Sequence, residues 1–311
     1  MDRESNRELI ASILYYDMDY NQREIAERMN VSTMTVSRLL ESARQSGIVE
    51  IKINTPLSTD FREEKRLLGE FKLKKAIVIS SEYQVDPLDS LSRTAGFYLD
   101  ALISSEDVLG ITAGRLMRRV ISALSLPTLP RLNNLSIVQL MGGFPNPSQF
   151  DPTTNVHQFV SRFGITGYFF HLPLYASSEE AGIALKDHGI PEAVFDMWKK
   201  CNITVTSVGE AGEESIYRMG NLLSRKEMER ICAKGGVGDF LGRWFDLDGR
   251  FIDDDVNNRV LAIPIEMLKK VERKILVAGG PGKKEALLGI LNSGLVDVLI
   301  TDQKTSVDLK K

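Results

Sequence analysis

Apolar residues recur along this 311-residue chain at two different periods, and the change of period divides it in two. Between Asn6 and Tyr16, Leu9, Ile10, Ile13 and Leu14 repeat at helical spacing and predict a first helix with one buried stripe. Asn21 followed three residues later by Glu24 nearly matches a capping box, which starts a second helix with Ile25, Ala26 and Met29 facing inward. Asn30 and Val31 fit a turn. Ser32 is placed to cap a third helix whose inward stripe is Val36, Leu39, Leu40 and Ala43, leaving Thr33, Met34, Thr35, Ser37 and Arg38 on the opposite side. Two short helices joined by a tight turn, the second opening on a hydroxyl-rich run, form the pattern of a helix-turn-helix that lays its second helix in the DNA major groove. The candidate DNA contacts are Gln22, Ser32, Thr33, Met34, Thr35, Ser37 and Arg38.

After Gly47 the run IVEIKIN alternates apolar and polar residues and predicts a strand, so that the head is winged or hands over to the next domain through that strand. Thr55, Pro56 and the polar residues to Asp60 break the pattern, which places a DNA-binding head at residues 1–55 and a second domain at 56–311. A short charged helix is expected from about Asp60 to Phe71. From Lys75 onward, β-branched runs (AIVIS, VLGIT, LSIVQLM, YFFHLPL, ITVTSVG, RKILVAGG, VDVLIT) alternate with helical ones such as LSRTAGFYLDALI, RLMRRVISAL, VHQFVSRFG and ALLGILNSG. That alternation predicts an α/β domain with a doubly wound, mostly parallel sheet. Ligands of such sheets bind beyond the carboxyl ends of the strands. Four predicted strands end in glycine or small-residue turns there: Gly110 to Gly114, Gly142 and Gly143, Gly209 to Gly212, and Gly279 to Gly282.

No uncharged apolar run is long enough to span a bilayer, and the N-terminus MDRESNRELI lacks the basic and apolar regions of a secretion signal, so no membrane partner and a cytoplasmic location are expected. Cys201 and Cys232 form no CxxC pair and read as reduced structural thiols. His157, His171 and His188 have no metal-ligand spacing, and nothing in the chain calls for a metal or cofactor. The formal net charge of -3 carries no general signal for nucleic acid, and residues 1–55 hold seven basic residues (Arg3, Arg7, Arg23, Arg28, Arg38, Arg44, Lys52) against nine acidic ones. Affinity for DNA grows with the number of phosphates neutralised, so one head alone should bind poorly. Two or four heads on a common oligomer restore affinity through effective concentration.

Three stretches carry a resemblance that spans nearly the whole chain: Leu39 to Ile48 in the head, GGVGDFLGRWFDLDG from Gly235 to Gly249, and ILVAGGPGKKEALLGILNSGLVDVLITD from Ile275 to Asp302. They resemble the SorC family of bacterial transcriptional regulators, also called the SorC/DeoR type. The resemblance implies operator DNA as one partner and an effector domain related to glucosamine-phosphate deaminases and ribose-phosphate isomerases. It also implies a phosphorylated sugar or sugar derivative as effector, and homo-oligomers, dimers or tetramers.

The candidate effector residues are Gly110, Thr112, Gly114, Arg115, Gly142, Gly143, Asp239 and Lys283. The loop Gly110 to Arg115 follows a strand and opens a helix, where backbone N–H groups and the helix dipole favour an anion. Plain loop geometry is the alternative. The family commonly carries a small hydroxyl residue where Arg115 stands; Arg115 either bonds a phosphate or points to solvent and leaves that to Thr112. Lys283 matches the family's lysine at the opening of the penultimate helix and would add electrostatic attraction; a surface lysine beside Lys284 is the other reading. Asp239 matches an acidic family position suited to accepting hydrogen bonds from sugar hydroxyls, against a turn-forming Asp. Gly142 and Gly143 would allow close backbone approach to ligand, and Gln139, Tyr175 and Ser177 are rim candidates. A sugar-phosphate isomerase or deaminase with an added DNA-binding head is the alternative function. The segment after ITVTSVG, Glu210-Ala211-Gly212-Glu213-Glu214, holds no histidine, which weighs against an acid–base catalyst, and no catalytic residue is assigned.

Overall fold

A computed structural model describes residues 3–49, 59–80, 86–125, 132–145, 151–213 and 215–310. The chain forms two compact units, residues 1–56 and 57–311. In the first, α1 (Arg3–Ser12) continues into a π-helical turn at 13–17, followed by α2 (Gln22–Met29) and α3 (Thr33–Gln45). The Asn21 side chain accepts from the N–H groups of Arg23 and Glu24 while Glu24 accepts from the Asn21 N–H, a complete capping box. Asn30 ends α2 in the left-handed region at φ 54°, where asparagine is tolerated. Ser32 caps α3 through the Thr35 N–H. The core consists of Ala11, Ile25, Ala26, Val36, Leu39 and Leu40.

The α1 stripe differs from the predicted one. Leu14 packs against the core as expected, but Ile10 and Ile13 are 48% and 41% exposed and Ala11 is buried in their place. Beyond Ser12 the backbone widens to an i→i+5 bond, Met18 N–H to Ile13 O, which shifts the register that a regular helix would have kept. Of the predicted strand IVEIKIN, the residues 50–54 lie outside the described residues.

The second unit opens with α4 (Phe61–Phe71), capped by Asp60. There follow β1 (Lys75–Ile79), α5 (Pro87–Leu102), β2 (Val108–Ile111), α6 (Arg115–Ala123), β3 (Ser136–Gln139), α7 (Pro152–Phe163), β4 (Thr166–Tyr168), α8 (Glu179–His188), α9 (Glu192–Lys200) and β5 (Ile203–Thr206). A small antiparallel sheet comes next: β6 (Gly209–Glu210), α10 (Ile216–Met219), α11 (Arg225–Ala233), β7 (Gly238–Phe240) and β8 (Arg243–Phe245). The chain then passes through α12 (Asp255–Asn258) and α13 (Ile265–Leu268) to β9 (Arg273–Val277), α14 (Lys284–Asn292), β10 (Val298–Asp302) and α15 (Gln303–Asp308).

The large sheet is all parallel, in the order β1-β10-β9-β5-β2-β3-β4. Its strands alternate between two cores. Ile77, Leu109, Ile111, Ile275, Val277 and Ile300 meet α5, α6 and α7 on one face, while Val78, Val108, Leu276 and Leu299 join the core of the other. Burial on both faces is why these strands read as continuous β-branched runs. From β2 the chain winds outward through β3 and β4; β5 then pairs with the other side of β2 and the winding runs through β9 and β10. The strand order therefore reverses between β2 and β5, the topological switch point at which ligands of open α/β sheets bind.

The YFFHLPL run forms a strand only as far as Tyr168. Beyond it the Gln139 side chain takes over the ladder, donating to the carbonyls of Phe170 and Met141 and accepting from the Phe170 N–H.

Candidate functional site

At the switch point lies a cavity with about 800 Å³ of empty space including its open mouth, within the roughly 300–1,000 Å³ range of small-molecule sites. Four strand ends build its floor. Thr112 to Leu116 follow β2, Met141 follows β3, Ser207 to Glu210 follow β5, and Ala278, Gly279 and Lys283 follow β9. Ser215 to Tyr217, Asp239 and Leu241, from the segments around the small sheet, close one side.

Asp239 sits in β7 opposite Gly209 of β6 and is 3% exposed. Its Oδ2 accepts from the Tyr217 hydroxyl at 2.6 Å and from the Gly242 N–H at 3.0 Å, while Oδ1 has no protein partner. Burial pushes its pKa up to about 6; the Tyr217 and Gly242 hydrogen bonds and the charge of Lys283 oppose that rise, and Glu210 adds to it. Gly209 is required by this arrangement, because a Cβ there would overlap Oδ1. Behind Tyr217, the Tyr175 hydroxyl donates to Gly242 O at 2.8 Å and accepts from Trp244 Nε1 at 3.2 Å, so the wall is braced by aromatic groups. Burial next to the Asp239 carboxylate holds both tyrosine pKa values well above the ordinary 10, leaving their hydroxyls protonated.

Lys283, the residue before α14, donates to Val208 O at 3.1 Å and pairs with Glu210. The cavity's other charged element is the start of α6. Gly114 precedes that helix at φ +123°, a conformation L side chains rarely adopt, and as the N-cap residue it supplies no side-chain cap. The N-terminal dipole and N–H groups of α6 thus border the cavity beside Arg115 and the buried Thr112. Asn155 fixes this loop from below by donating to Thr112 O at 2.9 Å. Together the lining offers an orphan carboxylate oxygen, an ammonium, a guanidinium and a helix N-terminus, a set that suits a polyhydroxylated anion.

In the head, Thr33, Met34, Ser37 and Arg38 form an exposed surface along the first turns of α3, with Met34 66% exposed. Ser32 and Thr35 stand at its N-terminal edge, bonded to each other at 2.8 Å, and Gln22 is half-buried as the first residue of α2. This is the small, polar N-terminal end by which a recognition helix meets base edges.

The family model described as "Putative sugar-binding domain" matches residues 55–309. Residues 7–46, from the middle of α1 through α3, match sigma-70 region 4. The "Uncharacterized transcriptional regulator YjhU" of Escherichia coli K12 is 30% identical over 306 residues, 96% of this chain and 92% of that protein. The sorbitol operon regulator of Klebsiella pneumoniae is 24% identical over the full length of both, and the crystal structure of full-length SorC from that organism superimposes with a TM-score of 0.71, covering 99% of this chain and 100% of that one at 23% identity. The chain belongs to the SorC family of sugar-binding transcriptional regulators. A further relative of this SorC-type regulator, the deoxyribonucleoside regulator of Bacillus subtilis, is 29% identical over 318 residues, 98% of each chain. These relatives are named as regulators, and this chain is a transcriptional regulator rather than an enzyme.

Of the effector candidates in this SorC-type regulator, Thr112, Gly114, Arg115, Asp239 and Lys283 line the one cavity. Gly110, Gly142 and Gly143 do not. Gly110 lies within β2, where a Cβ would run into the Leu140 side chain at 2.6 Å. Gly142 lets the chain cross the Pro173 carbonyl, and Gly143 pairs with Leu172 and Leu174 beside a separate depression bordered by Asp151 and Thr153. At Gly110 and Gly142 the close backbone approach is to the protein's own chain. Gln139 is fully buried in its ladder role, Tyr175 braces the wall from behind, and Ser177 is exposed away from the cavity. Tyr217, the packing of Asp239 against Gly209 and the pairing of Glu210 with Lys283 are additions that the structure makes.

Proposed function

We propose that the switch-point cavity binds a phosphorylated sugar or sugar derivative, and that this ligand changes operator occupancy by the helix-turn-helix head of a homodimer or homotetramer. The reading rests on Asp239, a buried carboxylate whose Oδ1 has no protein partner and which lines the same cavity as Lys283 and the start of α6. A buried carboxylate oxygen left unbonded is costly, and a sugar hydroxyl satisfies it. The α6 N-terminus with Arg115 then faces the phosphate. The relatives' names, a sorbitol operon regulator and a deoxyribonucleoside regulator, point to polyhydroxylated effectors. Oligomerisation answers the acidity of the head, since paired heads reach through avidity what one head does not. An effector moves this system only by binding the DNA-competent and incompetent states unequally.

A thermal-shift screen of the full chain against sugars with and without a phosphate tests the reading. A phosphorylated member should raise the unfolding temperature and change operator retention, and Asp239→Ala and Lys283→Ala should blunt both while ligand-free DNA binding persists. No shift from any sugar would favour a constitutive architectural binder, and product formation from a sugar phosphate would favour the enzyme.

A further inference from the structure

The protein itself already engages the Lys283 ammonium. It pairs with the Glu210 carboxylate and donates to Val208 O, so the charge that would attract a phosphate is neutralised by a residue of the same wall. Glu210 ends the two-residue strand β6, directly before Ala211 and paired to Gly238 of β7, which fixes its backbone next to Asp239. The pair is not sealed: the two side chains are 22% (Lys283) and 30% (Glu210) exposed, so the carboxylate has a path to solvent. Two carboxylates, Glu210 and Asp239, therefore stand in the cavity with Lys283, and an anion seated at the ammonium meets Glu210 as a like charge at close range.

We infer that Glu210 is an internal competitor for Lys283, so that the site admits only an effector whose anionic group displaces that carboxylate. This deepens the proposed phosphate-binding role of the cavity and rests on it. A neutral polyol recovers nothing at Lys283 and leaves the pair closed. A phosphate, with higher charge and three acceptor oxygens, outcompetes a single carboxylate for the ammonium and sends Glu210 outward. Selection for phosphorylated over unphosphorylated sugar is then a property of the pair rather than of Lys283 alone, the repulsive element being Glu210.

The test is a calorimetric titration of the full chain with inorganic phosphate, for wild type, Glu210→Gln, Lys283→Gln and the double variant. Glutamine keeps the shape and polarity of Glu210 and removes its charge. Glu210→Gln should bind phosphate about fivefold more tightly, the factor matching the upper end for a partly exposed ion pair. The gain should vanish in the Lys283→Gln background, because the competition runs through the ammonium. Ligand-free thermal unfolding of Glu210→Gln within a degree or two of wild type separates this from a folding effect; should it fall further, Glu210→Ser provides the same comparison. Phosphate affinity unchanged or weakened in Glu210→Gln, with wild type binding phosphate, overturns the competitor role and leaves the cavity assignment standing. Absence of phosphate binding in wild type and Glu210→Gln alike, together with no response to any phosphorylated sugar, overturns both.

Discussion

Replacing Asp239 by asparagine should stabilise this regulator at neutral pH while damaging its response to effector. Asparagine is isosteric, and its carbonyl can occupy the Oδ2 position, accepting from Tyr217 and Gly242 as the carboxylate does. What it removes is the charge. Moving a carboxyl from its ordinary 3.8 to about 6 on folding corresponds to about 3 kcal/mol at 1.36 kcal/mol per pH unit. The sign follows from proton counting. Between pH 4 and 6 the folded state holds the proton more tightly than the unfolded chain, so this group's contribution to stability declines as pH rises through that window and stays lost above it. The difference in unfolding free energy between Asp239→Asn and wild type should thus grow by up to about 3 kcal/mol from pH 4 to pH 7.5, then level off. Urea unfolding of both proteins at a series of pH values, followed by tryptophan fluorescence, measures it; Trp244, one of two tryptophans, contacts Tyr217 in the same wall. A difference that is flat across pH 4 to 7.5 would refute the view that burial makes ionisation of this carboxylate costly. A buried charge kept at such a cost is a familiar trade of stability for function.

Three other outcomes follow from the geometry. Gly209→Ala should lower stability by about 2 kcal/mol, an overpacking cost, because Asp239 is pinned by two hydrogen bonds and cannot retreat from the new Cβ; chemical unfolding reports it. Asp254, 2% exposed in its side chain and bonded to Arg230 Nε at 2.7 Å and Lys234 Nζ at 2.9 Å, should cost about 3 kcal/mol when changed to alanine. Its pKa is held below the ordinary 3.8 by those partners against the opposing effect of burial, so its stabilisation is present above about pH 4 and fades as pH falls further, a loss that Asp254→Ala should not show in acid titration. Arg38→Ala should weaken operator binding and reduce the slope of log affinity against log salt by about one, read by fluorescence anisotropy; an unchanged affinity at moderate salt would remove α3 from the role of reader.

What the sequence determined by itself was local. Caps at Asn21 and Ser32, and runs of β-branched residues between helical stripes, were legible because those signals are set within a few residues by hydrogen bonding and side-chain period. The same reasoning put Ile10 and Ile13 in the core, and there it failed: a helical period locates an apolar stripe but not which of its residues the neighbouring helices cover. Thr112, Gly114, Arg115, Asp239 and Lys283 were legible one at a time as candidates, by family likeness and strand-end position. Only the tertiary structure decided that these five share a cavity, since residues up to 171 positions apart are joined by the parallel sheet's order and its reversal between β2 and β5. It likewise decided that Gly110 and Gly142 press against the protein's own chain while Gly143 borders a separate depression, because a glycine's close approach has no address until its neighbour is known. The small sheet β6-β7-β8 was hidden in strands of two and three residues, too short to carry a period. From it comes the placing of Gly209 and Glu210 beside Asp239, and from α10 Tyr217's hold on that carboxylate, and with them the charge balance of the site.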